Sequence, residues 1–170
     1  TIEIANQNGK AITVDLNSYN ISGGELRTGG ATSFINGKGS ATCISEITAS
    51  IDNTGDLTIG DYVKVGGALV NEEGGKTKVE EKAAVSGPVN NKGDFVNDGD
   101  ITGIYTNESG HTKNSETGTM NNVIQKGGDF DNDGEIKTKL ELEGGSYTPS
   151  EGATPGVPEG AVAKSNTNPV

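Results

Sequence analysis

A nine-residue segment occurs twice in this chain. Residues 93–101 read GDFVNDGDI and residues 128–136 read GDFDNDGEI, with seven of the nine positions identical at an offset of 35 residues. Glycines in Asn- and Asp-rich turns mark a shorter step along most of the chain, at Gly37, Gly55, Gly74, Gly93, Gly110 and Gly128. These glycines are 17 to 19 residues apart, so the longer offset is two steps. A fixed step of this size is typical of a solenoid.

Each step combines a turn with short runs of β-forming residues. Asn and Asp tolerate left-handed backbone angles and Gly adopts them without steric cost, so the marked turns are predicted to bend the chain. The runs between them, such as residues 62–65 and 136–142, would form strands whose side chains alternate between two faces. A coil of about 18 residues can return to its start about 4.8 Å further along the axis. The sequence therefore predicts an all-β fold, a parallel β-solenoid (β-helix) with coils of about 18 residues, over residues 20–147.

Composition agrees with a narrow solenoid. The chain has 170 residues, 27 glycines and a formal net charge of −11. Leu, Ile, Val and Phe together make about a fifth of it, which is few for a globular domain of this charge. A solenoid needs fewer apolar residues than a globule because one inward row per strand fills it. Gly and Asn have low helix propensity, so no helix beyond a short turn is expected. The chain is predicted to form one domain.

Residues 1–19 are predicted to form a separate N-terminal element. Ile2 and Ile4 alternate with polar residues, the same alternation resumes at Ile12, and an Asn-Gly pair lies between the two runs, which is a strong β-hairpin signal. The first interpretation is a hairpin that caps the open end of the solenoid, since an uncovered end exposes unpaired strand edges. The alternative is that these strands pair with the next subunit.

Two further segments depart from the repeat. Residues 148–170 contain four of the five prolines and cannot build a core of their own. They are predicted to be an extended C-terminal tail, packed on the solenoid or on a neighbouring subunit. Residues 106–119 are almost wholly polar and include His111, the single histidine. They are predicted to form an exposed, mobile loop that leaves the solenoid wall.

Charge and hydropathy exclude several classes of partner. The acidic balance argues against nucleic acid, whose phosphates it would repel. No apolar run is long enough for membrane insertion. Because the chain starts at Thr1 without Met, we expect a processed form exported from its cell. Cys43 is the only cysteine and is interpreted as a small buried side chain, with a disulfide between subunits as the alternative.

One stretch has the spacing of a metal site. Asp129, Asp131, Asp133 and Gly134 match the opening of an EF-hand calcium loop, in which alternate carboxylates face one cation. The closing glutamate should fall at position 140, which is Leu140. An Asp-rich solenoid turn is therefore the favoured interpretation. A weak surface calcium site at Asp129, Asp131 and Asp133 is the alternative, and no other cofactor is indicated.

The sequence offers little for catalysis. With one histidine, a two-histidine metal site is excluded and any triad would depend on His111. No nucleophile elbow or phosphate loop is found. Some β-helices cleave polysaccharides with clustered carboxylates, but this chain has no Trp and four Tyr to stack on sugar rings, and it is short for that class. The protein is predicted not to be an enzyme.

The Asn-x-Gly-Asp/Glu-apolar turns at residues 53–57, 97–101 and 132–136 resemble the coils of bacterial surface β-helix proteins. The nearest examples are autotransporter passengers and filamentous-haemagglutinin-like adhesins. The resemblance covers about residues 50–142. It implies an extracellular or bacterial cell-surface location and a structural role, and it transfers no functional residue.

These observations favour one function and leave two alternatives. The first is a structural subunit of an extracellular bacterial surface filament, a homopolymer that assembles head to tail by strand addition and solenoid stacking. The second is a β-helical adhesin or tail-fibre module that binds glycan or a host surface through its wall and residues 106–119. The third is a calcium-stabilised surface module.

Overall fold

The computed structural model describes residues 1–5 and 10–154, and in that part of the chain it contains 19 strands and no α-helix. The strands stack in three columns, named walls 1, 2 and 3. Wall 1 consists of β1 (Ile2–Ala5), β3 (Glu25–Gly29), β6 (Ser50–Asn53), β9 (Leu69–Asn71), β12 (Val89–Asn91) and the second halves of β14 (Asp100–Asn107), β16 (Thr119–Gln125) and β18 (Glu135–Leu142).

Wall 2 consists of β2 (Ile12–Asp15), β4 (Ala31–Ile35), β7 (Asp56–Ile59), β10 (Lys76–Val79), β13 (Asp94–Asn97), β15 (His111–Asn114), β17 (Asp129–Asn132) and β19 (Ser146–Pro149). Wall 3 consists of β5 (Ser45–Ile47), β8 (Val63–Val65), β11 (Ala84–Val85) and the first halves of β14, β16 and β18. The three long strands cross from wall 3 to wall 1 with a register shift at the corner, for example between Ile101 and Ile104.

Every strand pair in the described residues is parallel and joins equivalent strands of successive coils. The predicted all-β parallel solenoid with coils of about 18 residues is confirmed, with about eight turns. The expected absence of helix is also found in these residues. They accordingly contain no helix that is long and apolar enough to cross a membrane.

The core lies between the three walls and is filled by alternate residues of each strand. Burial alternates along nearly every strand of the middle coils, as in β8 and β13, because successive side chains point to opposite faces. Phe95, Tyr105 and Phe130 are fully buried and form a stack. The ring centroids of Phe95 and Tyr105 are 5.1 Å apart and those of Tyr105 and Phe130 are 6.4 Å apart.

Side-chain amides, nearly all from asparagine, form two columns inside the solenoid. The sequence analysis had assigned the asparagines to turns and did not predict these columns. Amide column 1 lies at the inner corner of walls 1 and 2 and contains Asn53, Asn71, Asn91, Asn107 and Gln125. Each is 0% exposed. The side-chain nitrogen of each member donates to the side-chain oxygen of the next, over 2.8 to 3.0 Å. The same amides also donate to corner carbonyls, so they hold each turn from inside.

Amide column 2 contains Asn97, Asn114 and Asn132, at the end of wall 2 strands. The Asn97 amide donates to Asn114 and the Asn114 amide donates to Asn132, both over 2.8 Å. The residue before Asn97 in this column is Val79. A valine cannot donate a hydrogen bond, which explains why the Oδ1 atom of Asn97 has no partner.

Glycines are needed at the corners mainly because successive coils touch there. Of the six marker glycines, only Gly74 and Gly128 have a positive φ, so left-handed backbone angles account for two of these positions. A Cβ on Gly93 would collide with the carbonyl oxygen of Gly75, and a Cβ on Gly110 would collide with that of Gly93. Glycine therefore recurs because the backbones of successive coils approach each other too closely at these corners for a side chain.

The N-terminal strands do not form a hairpin. β1 pairs in parallel with β3, and β2 pairs in parallel with β4. The two strands belong to different walls and together make the first coil of the solenoid, because their alternating Ile and Val residues fit the inward positions of walls 1 and 2. The Asn8-Gly9 pair lies outside the described residues.

The prediction of a loop at residues 106–119 was wrong. The end of β14, all of β15 and the start of β16 run through this segment as a regular coil. Its polar residues were mistaken for exposed ones, whereas Asn107, Thr112 and Asn114 are 0% exposed. Their hydrogen bonds to neighbouring coils allow the burial.

The solenoid contacts extend beyond residue 147. β19 includes Thr148 and Pro149 and pairs with β17, and Thr154 forms a parallel bridge to Glu135 on wall 3. Residues 155–170, which make up most of the predicted tail, lie outside the described part of the chain.

Candidate functional site

The three predicted calcium ligands lie on or beside β17, and each has a different partner. Asp129 accepts a hydrogen bond from the serine hydroxyl of β19. The Asp131 carboxylate is 3.2 Å from His111 Nε2, and the Asp133 carboxylate is 3.6 Å from Lys113 Nζ. Residues 1–5 and 10–154 contain no group of three His, Cys, Asp or Glu side chains suited to a metal ion. The structure thus does not bring the three carboxylates together.

Calcium is accordingly expected to leave the thermal midpoint unchanged. A ligand that binds only the folded state must raise the midpoint, and separate exposed carboxylates bind calcium too weakly to do so. Melting curves with excess calcium and with excess chelator would measure this. A rise in the midpoint that disappears in the Asp131→Asn variant would contradict the expectation and restore the calcium-stabilised module.

His111 is the first residue of β15 and lies on the outer face of wall 2. Its side chain is 46% exposed and faces Asp131. In the strand register it lies between Asp94 and Asp129, in an outer row of polar and ionisable side chains along the wall. Exposed pairs of this kind contribute little to stability. The row keeps wall 2 solvated.

Lysine–carboxylate pairs connect the outer surfaces of adjacent coils. Lys92 Nζ lies 2.9 Å from Glu72 Oε2, and Lys126 Nζ lies 3.0 Å from Glu108 Oε1. These hydrogen bonds raise the pKa of both lysines. Cys43 also makes a contact between coils, since its thiol donates to Ser18 Oγ over 2.9 Å. It is partly rather than fully buried, so the sequence-based interpretation overstated its burial.

Tyr105 is the one buried phenol of wall 1. Its hydroxyl is 2.7 Å from Thr112 Oγ1, and burial raises the pKa of Tyr105 far above its usual value. The unfolded chain would ionise this phenol near pH 10 whereas the folded chain would not. Its contribution to stability is therefore complete below pH 10 and decreases as the pH rises above that value.

The Tyr105→Phe variant is expected to be less stable than the parent at pH 8 and to lose less stability on going to pH 11. At pH 8 it lacks the hydrogen bond to Thr112, worth about 1 kcal/mol. Above pH 10 only the parent loses up to about 1.4 kcal/mol per pH unit through phenol ionisation. Urea unfolding of both proteins at the two pH values measures the difference, and the lysine pairs are common to both. Parallel pH profiles would contradict this assignment.

Wall 1 has an uncharged outer face in its middle coils. This uncharged face consists of the outward residues of four successive strands, namely Val70, Asn90, Ile104, Thr106, Asn122 and Ile124. The side chain of Ile104 is 52% exposed. Charged residues flank the face on both sides, with Asp52 next to Val70 and with Lys139 and Glu141 next to β16. In a chain of which 22% is charged, an uncharged area of this kind is a candidate contact surface.

The first coil of the described solenoid has apolar residues at its inward positions. Within the described residues β1 pairs only with β3, and β2 pairs only with β4. The inward positions of these strands are Ile2, Ile4, Ile12 and Val14, which align with buried residues of the next coil. All four retain exposure, and Ile2 is 61% exposed.

The last coil also has apolar residues at its inward positions on walls 1 and 2. The second half of β18 and all of β19 have partners on one side only among the described residues. The inward positions here are Leu140, Leu142, Tyr147 and Pro149, which continue the columns of the previous coil. Leu142 and Tyr147 are only partly buried, and burial still raises the pKa of Tyr147.

The two end coils differ from the interior coils in the polarity of their inward side chains. The coil that contains Tyr105 has Asn107, Thr112 and Asn114 at its other inward positions on walls 1 and 2, whereas both end coils have apolar residues at all of theirs. Sequence reasoning had singled out Ile2, Ile4 and Ile12 as strand residues. It missed that they and the last coil form matching apolar ends, since their strand register was not known.

Comparisons with known proteins found no matching family model, curated protein or solved structure. The resemblance of the turns to bacterial surface β-helix proteins therefore stays a prediction. The candidate sites are defined by geometry alone: one uncharged face and two apolar end coils whose outermost strands have partners on one side only in the described part of the chain.

Proposed function

We propose that this chain is a structural subunit of an extracellular bacterial surface filament, in which copies join head to tail through the ends of the solenoid. The observation that carries the proposal is that, among the described residues, both end coils present apolar inward side chains and strand edges with a partner on one side only. A contact between unlike ends does not close on itself, so it repeats without limit and generates a fibre.

The composition of the ends favours association over capping. A terminal repeat that serves as a cap has a polar outer surface, because it faces water. Here the residues exposed at the two ends include Ile2, Ile4, Leu142 and Tyr147. Their burial in a joint would contribute about 25 cal/mol for each Å² of apolar surface removed from water.

The lateral surface favours a linear assembly. The formal net charge of −11 acts between chains that approach side by side and opposes sideways aggregation. Along the axis the same charges are spread over about eight coils, so their repulsion is weaker relative to the contact at the joint. An extracellular location follows from the resemblance of the turns to surface β-helices and forms part of the proposal.

Electron microscopy of the purified protein across a concentration series tests this function. The expected result is unbranched fibres of one solenoid width that lengthen with protein concentration. Discrete particles at every concentration would overturn the filament proposal.

Deletion of residues 155–170 tests the part played by the tail. The described ends carry the apolar side chains and strand edges without this segment, so we expect fibres to form at a similar or lower protein concentration. Sedimentation of polymer at several concentrations, with the full chain as the control, measures the change. Loss of fibres on deletion would mean that the tail, and not the end coils, joins the subunits.

A second candidate function is supported by the uncharged face of wall 1. We propose as the alternative an adhesin or tail-fibre module that binds a neutral glycan there, since Asn90, Thr106 and Asn122 offer hydrogen bonds beside the aliphatic Val70 and Ile104. A glycan array compares the parent with Ile104→Lys. The matched control is Lys113→Glu on wall 2. Binding that is lost only in the first variant would support this function, and no binding by the parent would remove it.

A further inference from the structure

We infer that the joint between subunits is a direct continuation of the solenoid, in which β1 and β2 of one copy add to β18 and β19 of the preceding copy in the register that the inner columns define. The inference rests on the proposed function, because it specifies the partner surface of the same two ends. It identifies a second copy of this chain as the occupant of each end.

The register follows from two inward columns of wall 1. The first runs from Ile2 through the buried residues of each coil to Leu140, and the second runs from Ile4 through amide column 1 to Leu142. If a second copy continues the stack without a change of register, Ile2 follows Leu140 and Ile4 follows Leu142. Both pairs are apolar, so they can be buried together.

Wall 2 gives the same result. One inward column runs from Ile12 to Tyr147 and the other from Val14 through amide column 2 to Pro149. In the continued stack Ile12 would cover the Tyr147 ring, which is now covered on one side by Phe130 at a centroid distance of 5.5 Å. All four inward contacts on walls 1 and 2 would then be apolar on both sides.

Neither amide column reaches the joint, and strand alternation disfavours a shift of the register by one residue. Both amide columns lie wholly inside the solenoid, and column 1 ends at Gln125 before the apolar Leu142. A buried amide without a partner costs about 1–3 kcal/mol, so a joint that ended in asparagine would penalise any imperfect contact. The apolar ends avoid this cost, while a shift by one residue would turn every inward side chain of the incoming strands outward.

Pro149 is the one feature of the ends that opposes a full joint. The neighbouring amide of Ser150 donates to the preceding coil, at Asn132, so the position of Pro149 faces the open edge by strand alternation. Proline has no N–H to donate there. The joint therefore lacks one hydrogen bond of wall 2, worth about 1 kcal/mol. Wall 1 has no such interruption.

Disulfide trapping tests the register in the full 170-residue chain. In the continued stack Thr13 lies beside Thr148 of the preceding copy, and both side chains point outward and are exposed. Adjacent strands lie about 4.8 Å apart, and disulfides span Cα atoms that are about 4.4–6.8 Å apart. We would use a Cys43→Ser background with Thr13→Cys and Thr148→Cys. The register control is Thr13→Cys with Glu141→Cys, which places both thiols at the ends but on different walls.

The expected result is a ladder of covalent oligomers on a non-reducing gel for the matched pair and its absence for the control pair. Fibres in the microscope without a ladder would overturn the inferred register and leave the filament proposal standing. The absence of both fibres and ladder would overturn both. A ladder that appears only after residues 155–170 are deleted would also overturn the inference, because the chain's own tail would then be the occupant of the end.

Discussion

Replacement of Asn91 by Asp is expected to lower the free energy of unfolding by about 3–5 kcal/mol at pH 7. Asn91 is 0% exposed and is the central member of amide column 1. Its Nδ2 group lies 3.0 Å from Asn107 Oδ1, 3.4 Å from the His111 carbonyl and 3.3 Å from Thr112 Oγ1. A carboxylate has the same shape but no proton to donate. It would place a negative charge without a counter-ion against the Asn107 amide oxygen and the His111 carbonyl oxygen in the interior.

The loss should depend on pH in a defined direction. Burial and the adjacent acceptors would raise the pKa of the introduced carboxyl group above its unfolded value of about 3.9. The protonated acid can donate one hydrogen bond, so the variant should approach the parent near pH 4. As the pH rises above about 3.9 the unfolded state ionises first, and the variant should lose about 1.4 kcal/mol per pH unit until the folded state ionises too.

Asn121→Asp is the matched control for this prediction. Asn121 lies on the outer surface, and its amide makes one long hydrogen bond of 3.4 Å to Thr102. The same chemical change there should alter the stability by less than about 0.5 kcal/mol. Urea unfolding followed by circular dichroism at pH 4 and pH 7 measures both variants against the parent. Equal effects of the two substitutions, or no pH dependence for the Asn91→Asp variant, would show that column 1 does not require its amide donors.

The amide columns also mark the limit of what the sequence alone could predict. The 18-residue step and the alternation of Ile, Val and Leu were sufficient to predict a parallel solenoid, because these patterns reflect backbone geometry. The asparagines were assigned to turns on local propensity. Their inward direction depends on strand register, as Asn53 and Asn71 illustrate: each ends a strand, and its side chain is held by the next coil. Interactions between residues 18 to 20 apart in sequence decide this, and local propensity does not include them.

The same limitation produced the wrong prediction for residues 106–119. A segment that contains His111, Lys113 and Glu116 is, on composition alone, too polar to be expected in a core. In the structure these ionisable side chains point outward, while Thr112 and Asn114 between them point inward and are hydrogen-bonded. The alternation was present in the sequence as ionisable and neutral polar residues rather than as polar and apolar ones. Such a pattern could have indicated a polar-cored strand.

The candidate sites were predictable to different degrees. Asp129, Asp131 and Asp133 were recognised as possible calcium ligands by their spacing. In the structure each of the three carboxylates contacts a different side chain instead of a shared site. The apolar character of Ile2, Ile4 and Ile12 was visible in the sequence. Their place in the first coil depends on which strands they pair with, which only the three-dimensional arrangement provides.

Replacement of Gly87 by Ala is expected to cost about 3 kcal/mol, although it adds one methyl group. Gly87 is buried at the corner between walls 3 and 1. A Cβ there would collide with the Gly67 carbonyl oxygen and lie 2.8 Å from that of Gly66. Both atoms belong to the backbone of the preceding coil and cannot rotate away. Overpacking in a well-packed interior costs about 1–3 kcal/mol, and separation of two coils would also weaken the hydrogen bonds between them.

Two other glycines separate this steric cause from backbone strain. Gly29→Ala is the control for added bulk, since its Cβ would meet only Thr54 Oγ1 at 3.7 Å, and it should be neutral or stabilising by up to about 1 kcal/mol. Gly74→Ala is the control for conformation, because Gly74 has a φ of +79° and no atom within 4 Å of its added Cβ. It should cost about 1–2 kcal/mol. Urea unfolding of the three variants measures the order.

If Gly87→Ala is the most destabilising of the three, close contact between coils is the reason that glycine recurs at regular intervals in the sequence. If Gly74→Ala exceeds it, left-handed turns dominate the requirement for glycine after all. Amide hydrogen exchange distinguishes the two causes by position. A collision at Gly87 should accelerate exchange in the coils on both sides of it, since a solenoid is stabilised by contacts between nearest neighbours. A strained turn at Gly74 should affect its own coil alone.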